Sequence, residues 1–301
     1  MYDIIVVGAG PAGLTAAIYA RRADKSVLVL DKGTFGGQMT FSPKIENYPG
    51  FEQISGNELA EKLVSQAINL GAEIDMCEVT GLRREGSIFC VECEDGDYMA
   101  RSVILATGSK HRLLGIDREE DFIGEGISFC AVCDGAFYAG KTVAVIGGGN
   151  SALQEAVMLS DGCKKVYVVQ NLAFLTGEEK LAEILRNRDN VEIICSCVVD
   201  EILGEDSFGG IIIENTENGE KTRIDLDGMF VAIGQVPENE QYSALVTLSD
   251  RGYIVSDENC KTDTEGLFVA GDCRTKNIRQ ISTACGDGAT AALAACRYLD
   301  K

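Results

Sequence analysis

The sequence predicts an α/β protein of two doubly wound domains, the second inserted into the first. Its 301 residues fit two domains at roughly 150 residues each. A strand, a glycine-rich turn, a helix and a second strand open the chain, and the same order returns after residue 141. A late strand over 266–270, ending in Gly271-Asp272, is read as the chain's return to the first domain.

Asp3–Val7 is rich in β-branched residues and reads as a strand. Gly8-Ala9-Gly10-Pro11-Ala12-Gly13 follows, then a helical run over 14–23 and a strand, Val27–Leu30, ending at Asp31. In such a turn Gly8 bends the chain, Gly10 lets a pyrophosphate approach the backbone, and Gly13 lets the helix pack on the strand. The helix N-terminus then faces the phosphates. Asp31, 18 residues past Gly13, stands where an acid can bind a ribose hydroxyl. The second unit is strand Thr142–Ile146, Gly147-Gly148-Gly149-Asn150-Ser151-Ala152, a helix to about Leu159, and strand Lys165–Val169. Two such units far apart indicate two Rossmann-like, dinucleotide-binding-type domains. A strand over 101–105 ends in Ala106-Thr107-Gly108. The first domain is then discontinuous, 1–113 with 244–301, and the second is 114–243. The joints fall at Ser109–Gly115 and Gly234–Pro237.

The chain holds 27 basic and 47 acidic residues, a net charge of −20, which argues against a nucleic-acid or anionic-membrane partner. No apolar run reaches the roughly 18 residues of a membrane helix. The N-terminus runs straight into a strand, without a basic n-region, so a cytoplasmic protein is expected. One histidine, His111, and no tryptophan speak against a histidine-based triad or a multi-histidine metal site. Twelve cysteines at this length suggest a reducing compartment and buried thiols that act as small hydrophobes.

Two C-x-x-C motifs stand out, and they differ. Cys90 and Cys93 lie in an alternating, strand-like run, where residues i and i+3 point to opposite faces and could hardly form a disulfide. Cys130-Ala131-Val132-Cys133 follows Gly124–Gly126 and precedes Asp134-Gly135, a loop entering a turn where two thiols can close a small ring. Near βαβ units such a pair is a redox signal. Zinc would want four ligands, and no second pair or histidines supply them, so no metal is expected. Cys195-Ser196-Cys197 reads as one face of an alternating strand.

Together, Gly8–Gly13, the GGQMTFSPKIENYPG run at 36–50, CAVCDG at 130–135, VAIGQVP at 231–237 and GDCRTKNIRQISTACGDGATAA at 271–292 resemble the low-molecular-weight flavin thioredoxin reductases. The likeness covers the whole chain in order. It implies an FAD flavoprotein, a homodimer, that passes electrons through FAD to a Cys130–Cys133 disulfide and on to thioredoxin. Cys133 would lie against the flavin, Cys130 would attack the substrate disulfide, and Asp134 would be the nearby acid/base. Candidate flavin-holding residues are Gly8, Gly10, Pro11, Ala12, Gly13, Asp31, Lys32, Gly37, Gln38, Asn47, Ala106, Thr107, Gly108, Gly271, Asp272, Arg279, Gln280 and Ile281. Taken singly, Arg279 could be a surface charge and Asn47 a turn former.

The chain departs from the family at one place. NADPH-dependent members follow the second βαβ unit with a basic cluster for the 2′-phosphate. Here the stretch is Gln170-Asn171-Leu172-Ala173-Phe174-Leu175-Thr176, without a cation. Residues 114–243 hold 9 basic and 24 acidic residues, a net of −15. In this respect the chain resembles the ferredoxin-dependent flavin thioredoxin reductases, which implies reduced ferredoxin as the donor. Plant-type ferredoxins lie near roughly −400 mV and thioredoxin near about −270 mV, so two electrons run about 6 kcal/mol downhill. Docking of an acidic ferredoxin would use the less acidic FAD domain, for example near Arg274, Lys276 and Arg279. An NAD(P)H-dependent reductase and an FAD-dependent small-molecule dithiol oxidase that uses oxygen are the alternatives.

Overall fold

The computed structural model describes residues 1–33, 35–94 and 96–301. It divides into two compact units, Met1–Lys110 with Val236–Lys301, and His111–Gln235. Both boundaries differ from those expected at 113/114 and 243/244. Residues 236–243 belong to the first unit because Asn239 is buried there. Its Nδ2 donates to the carbonyls of Gly252 and Cys273, at 2.9 and 3.0 Å, and its Oδ1 accepts from the Thr107 hydroxyl. His111 joins the inserted unit by stacking on Phe129, with ring centroids 4.7 Å apart. With these boundaries the inserted unit holds 10 basic and 22 acidic residues, a net of −12, and the remainder nets −8. The inserted unit is still the more acidic, by less than expected.

The chain begins with β1 (Tyr2–Val7), α1 (Pro11–Arg22), β2 (Val27–Asp31), α2 (Gly56–Asn69), β3 (Glu73–Met76), β4 (Val79–Glu85), β5 (Ile88–Cys93) and β6 (Tyr98–Leu105). It crosses at β7 (Lys110–His111) into β8 (Ile127–Ser128), α3 (Ala131–Asp134), β9 (Thr142–Ile146), α4 (Asn150–Ser160) and β10 (Lys165–Val169). There follow α5 (Glu179–Arg186), β11 (Val191–Ile194), β12 (Cys197–Leu203), β13 (Gly210–Asn215), β14 (Lys221–Asp225) and β15 (Gly228–Val231). After β16 (Gln235–Val236), β17 (Leu267–Val269) and α6 (Ile281–Leu299) complete the first unit. Among the described residues no helix is long and apolar enough to cross a membrane.

In the first unit β3-β2-β1-β6-β17 run parallel, and β4 and β5 join antiparallel beside the start of β6. Parallel strands are covered on both faces, which is why these segments are continuous apolar runs. Side-chain alternation sends Ile4, Val6, Val27, Val29 and Ile104 into the core with α1, α2 and α6. Ile5, Val7, Leu28, Leu30 and Leu105 enter the opposite core. Val7 pairs with Leu30 and with Leu105, and Val269 also pairs with Leu105, so four strands end level and their turns emerge together. Helix α1 seats without a side chain between it and the strand end: a Cβ on Gly13 would stand 1.8 Å from the Gly8 carbonyl oxygen.

In the inserted unit β11-β10-β9-β15-β8 form a parallel sheet, beside an antiparallel sheet β12-β13-β14. Val143, Val145, Val166, Val168 and Phe230 pack with α4 and with Ala131. The expected continuous strand through Cys195-Ser196-Cys197 does not form. Ser196 has φ +55°, so the chain turns there, Cys197 is buried and Cys195 only half-buried. Of the ten free cysteines eight are buried, as filler thiols should be.

Helix α6 is tied to the preceding loop by a buried ionic cluster. Asp287 accepts from Arg274 Nε and Nη2 at 2.8 and 2.9 Å, from Lys276 Nζ at 2.9 Å, and from the Gly271 N–H at 3.0 Å. Arg274 and Lys276 are thereby spent inside the unit, with side chains 6% and 8% exposed. The expectation that they form a docking surface is wrong, because both side chains are buried and held by Asp287. Burial alone would raise the Asp287 pKa, but the hydrogen bonds and charges of Arg274 and Lys276 outweigh it and hold the carboxylate below its usual range. Its contribution to stability is therefore present above the unfolded-state carboxylate pKa and lost as pH falls through the lowered one. Asp287→Ala, which leaves two buried cations without their carboxylate, is expected to cost about 3–5 kcal/mol, read from urea unfolding at neutral pH.

Candidate active site and cofactor cradle

The glycine turn after β1 is shaped from the backbone upward. Gly8 has φ +109°, and a Cβ there would meet the Ala106 carbonyl oxygen at 2.3 Å, so only glycine lets β1 and β6 end side by side. Gly10 caps α1 and faces open space: the nearest atom to a Cβ there would be the Cα of Gly37, 4.0 Å away. Pro11 begins the helix, where a missing N–H costs nothing, and Ala12 is buried. Gly10 and Gly37 thus border a strip free of side chains at a helix N-terminus, a cradle suited to a pyrophosphate.

Asp31 closes the turn. Its carboxylate accepts the Ala9 N–H at 2.6 Å and the Gly33 N–H at 3.0 Å, with lone pairs left over. Lys32 is engaged by Glu78 and Glu238 at 3.2 and 3.1 Å. Gln38 and Asn47 are exposed, and Asn47 Nδ2 donates to Gln280 Oε1 at 3.2 Å. Gln280 caps α6, directly before Ile281. Thr107 is held by Asn239, and Gly108 has φ +70° with nothing close to it. After β17, Gly271 takes φ +79° against Ala12 and turns the chain into Asp272. Asp272 Oδ1 is buried without a hydrogen-bond partner, and burial pushes its pKa up against the nearby Lys276 and Arg279 charges. An orphaned buried acceptor calls for a donor that the described residues do not supply. Arg279 lies over the Tyr253 ring at 4.2 Å and reaches the Asp272 carbonyl at 3.4 Å. The open strip and the orphaned Asp272 oxygen both fit a bound dinucleotide.

The second constellation lies in the inserted unit. Cys130 and Cys133 form a disulfide across α3, with Cα atoms 5.3 Å apart. Cys130 is the N-cap, so the expected loop-to-turn is a single helical turn. The Cys133 N–H donates to Cys130 Sγ at 3.2 Å, and the Cys130 N–H to Ser128 Oγ at 3.1 Å. Ser128 in turn donates to Asp134 Oδ2 at 2.6 Å, while Asp134 Oδ1 is buried without a partner. Burial pushes the Asp134 pKa up, and the Ser128 hydroxyl opposes the shift. Both cysteines are half-buried, with Val132 exposed between them. The other motif stays reduced. Cys90 contacts Arg83 and Asp97, whereas Cys93 packs in the core with Cys77, on the opposite face of β5.

At the end of β10, Gln170 is buried, and its Nε2 donates to the Phe174 carbonyl at 3.3 Å. Leu172 and Phe174 are exposed. Thr176 and Gly177 both donate backbone N–H groups to the Gly148 carbonyl at 2.8 Å. At the start of α4, Asn150 is bonded in both directions to Glu178, an acid. His111 is half-buried, and the loss of solvent pulls its pKa down to about 4 and keeps it neutral. Asn239, Asp287 and Glu155 are site-supporting residues that sequence reasoning passed over. Glu155 was detectable: it is an acid on the apolar face of a helix, between Ala152 and Leu159.

A model of the pyridine nucleotide-disulphide oxidoreductases matches residues 2–288, and the chain belongs to that family. It is accordingly an FAD flavoprotein. A thioredoxin reductase of Listeria monocytogenes is 39% identical over 302 residues, covering 100% of this chain and 95% of the relative. A 34.2 kDa protein in the rubredoxin operon of Clostridium pasteurianum is 40% identical over 298 residues, covering 99% and 97%. Among solved structures, a thioredoxin reductase from Streptococcus pyogenes superposes with a TM-score of 0.95 at 40% identity, covering 100% of this chain and 98% of that one.

Replacing Gly10 by Val is expected to yield a folded, colourless protein, because the added methyls occupy the open strip and nothing else. Gly13→Ala should instead fail at the level of folding, since its Cβ collides with backbone. Flavin absorbance and far-UV circular dichroism of the two variants separate these outcomes.

Proposed function

We propose that this flavoprotein reduces the disulfide of a thioredoxin through Cys130 and Cys133, with reduced ferredoxin as the electron donor. The observation that carries the reading is the half-buried Cys130–Cys133 disulfide beside Asp134, a carboxylate whose pKa is raised, in a chain of this family. Gly8–Gly13, Asp31, Gly37, Asp272 and the start of α6 hold FAD, which when bound supplies storage for two electrons. Once the pair is reduced, the Cys133 N–H favours a thiolate on Cys130, the attacking sulfur. Asp134, whose proton affinity burial raises, is steadied by Ser128 and is the group placed to pass a proton to the departing thiolate of the substrate.

The choice of donor rests on the end of β10. A 2′-phosphate finds no cation at 170–176, where Gln170 is spent on the Phe174 carbonyl and Leu172 and Phe174 face solvent. Glu178 adds a negative charge at the start of α4, and the inserted unit nets −12.

Under anaerobic conditions, reduced ferredoxin should bleach the flavin rapidly, whereas NADPH and NADH should not; stopped-flow absorbance decides. Thioredoxin turnover with NADPH at ordinary reductase rates would overturn the donor assignment and leave the disulfide chemistry standing. Separately, Cys130→Ser and Cys133→Ser are each expected to lower thioredoxin reduction by about a thousandfold or more. The Cys90→Ser/Cys93→Ser double variant should keep near-native turnover. The reverse pattern would mean that the wrong pair has been chosen.

A further inference from the structure

Glu155 is a half-buried acid that the reaction above does not use. It lies on α4, on the face formed by Ala152, Ala156 and Leu159, and that face packs with Ala131 in one apolar cluster. A Cβ on Gly135 would touch Leu159 at 3.2 Å, so α4 also lies against the exit of the redox turn. The backbone N–H of Ala131, the first residue inside the disulfide ring, faces the Glu155 carboxylate and favours its ionised form. Its Oε2 is buried and has no partner among the described residues. Leaving a buried carboxylate oxygen unsatisfied is costly.

The charged groups around α4 leave Glu155 without a counter-ion. On the redox turn stand Asp134 and Tyr138. Helix α5 carries Glu179 and Arg186, which pair with each other, together with Lys180 and Glu183. Strand β10 carries Tyr167 and Lys165, and the latter pairs with Glu192 at 2.8 Å. What acts on Glu155 is burial, which pushes its pKa up to about 7, and the opposing Ala131 N–H.

We propose that Glu155 is a positioning residue for the Cys130–Cys133 couple: its carboxylate, on the helix that packs against Ala131 inside the disulfide ring, sets how readily the pair ionises and is reduced. The proposal rests on the reading of Cys130 and Cys133 as the redox pair. Reduction breaks the Sγ–Sγ bond and adds two electrons and two protons, giving two thiols. An ionised Glu155 disfavours a second negative charge nearby, so it raises the thiol pKa. A neutral Glu155 relieves this effect. The thiols should therefore respond to pH in two steps, one belonging to Glu155 and one to Cys130.

The test uses the FAD-loaded protein reduced by dithiothreitol, with iodoacetamide alkylation of Cys130 followed by mass spectrometry across the neutral pH range. In Glu155→Gln the alkylation rate at neutral pH is expected to rise about three- to tenfold, corresponding to up to one unit of thiol pKa. The dithiol–disulfide equilibrium against dithiothreitol should shift toward the dithiol by a similar factor, and Glu155→Asp should restore part of the native profile. A merely structural role would move the thermal midpoint and leave the pH profile in place. An unchanged rate and equilibrium in a flavin-loaded Glu155→Gln protein would falsify the proposal. Should that variant not fold, the wild-type profile decides, since a single step at the thiol pKa also overturns it. No electron donor or acceptor protein enters this measurement, so failure of the functional reading shows separately, as turnover surviving in Cys130→Ser.

Discussion

The first unit depends on backbone-to-backbone contact around Ala12. The Ala12 carbonyl oxygen lies 2.1 Å from where a Cβ on Gly288 would stand, and a Cβ on Gly271 would meet the Ala12 side chain at 2.8 Å. Gly13 closes on Gly8 in the same way. Helices α1 and α6 and the strand ends between them can therefore meet without intervening side chains. Dispersion and burial reward this closeness only because alanine and glycine are small. The consequence is chemical. The open ends of α1 and α6, the Gly8 turn and the Gly271 turn all reach one rim, and polar backbone groups collect there.

Once that rim exists, buried polar groups must be satisfied or compensated. Asp287 meets the demand by taking hydrogen bonds from Arg274, Lys276 and the Gly271 amide, which holds the loop carrying Asp272. Asp272 Oδ1 is the exception on this rim, an acceptor without a donor. The inserted unit shows the same contrast. Ser128 satisfies one oxygen of Asp134 and leaves the other, and Glu155 Oε2 has no partner among the described residues. Low dielectric makes such groups expensive, so their clustering around a disulfide marks a place where proton affinity, rather than stability, is being set.

Much of this was legible in the chain. The strands Thr142–Ile146 and Lys165–Val169 fall where the β-branched runs place them, because parallel strands buried on both faces need continuous apolar sequence. The difference between the two C-x-x-C motifs also followed from local geometry. A strand separates residues i and i+3, whereas a single helical turn brings Cys130 and Cys133 together. Less legible were breaks that depend on one backbone angle. The run through Cys195 and Cys197 alternates well enough for a strand, yet the left-handed Ser196 ends it.

By itself the sequence determined the two glycine turns, the disulfide pair and the missing cations at 170–176, because each is a matter of residue type at short spacing. Tertiary structure alone decided where charges go. Arg274 and Lys276 look like surface cations in sequence, but a carboxylate more than ten residues away draws them inside. Asn239 moves the domain boundary by bonding Thr107, Gly252 and Cys273, which no local pattern announces. Burial likewise turns Glu155 from an ordinary helix acid into one that titrates near neutrality. The physical reason is common to all three. Desolvation and hydrogen-bond satisfaction are set by neighbours distant in the chain, and residue type fixes only the demand.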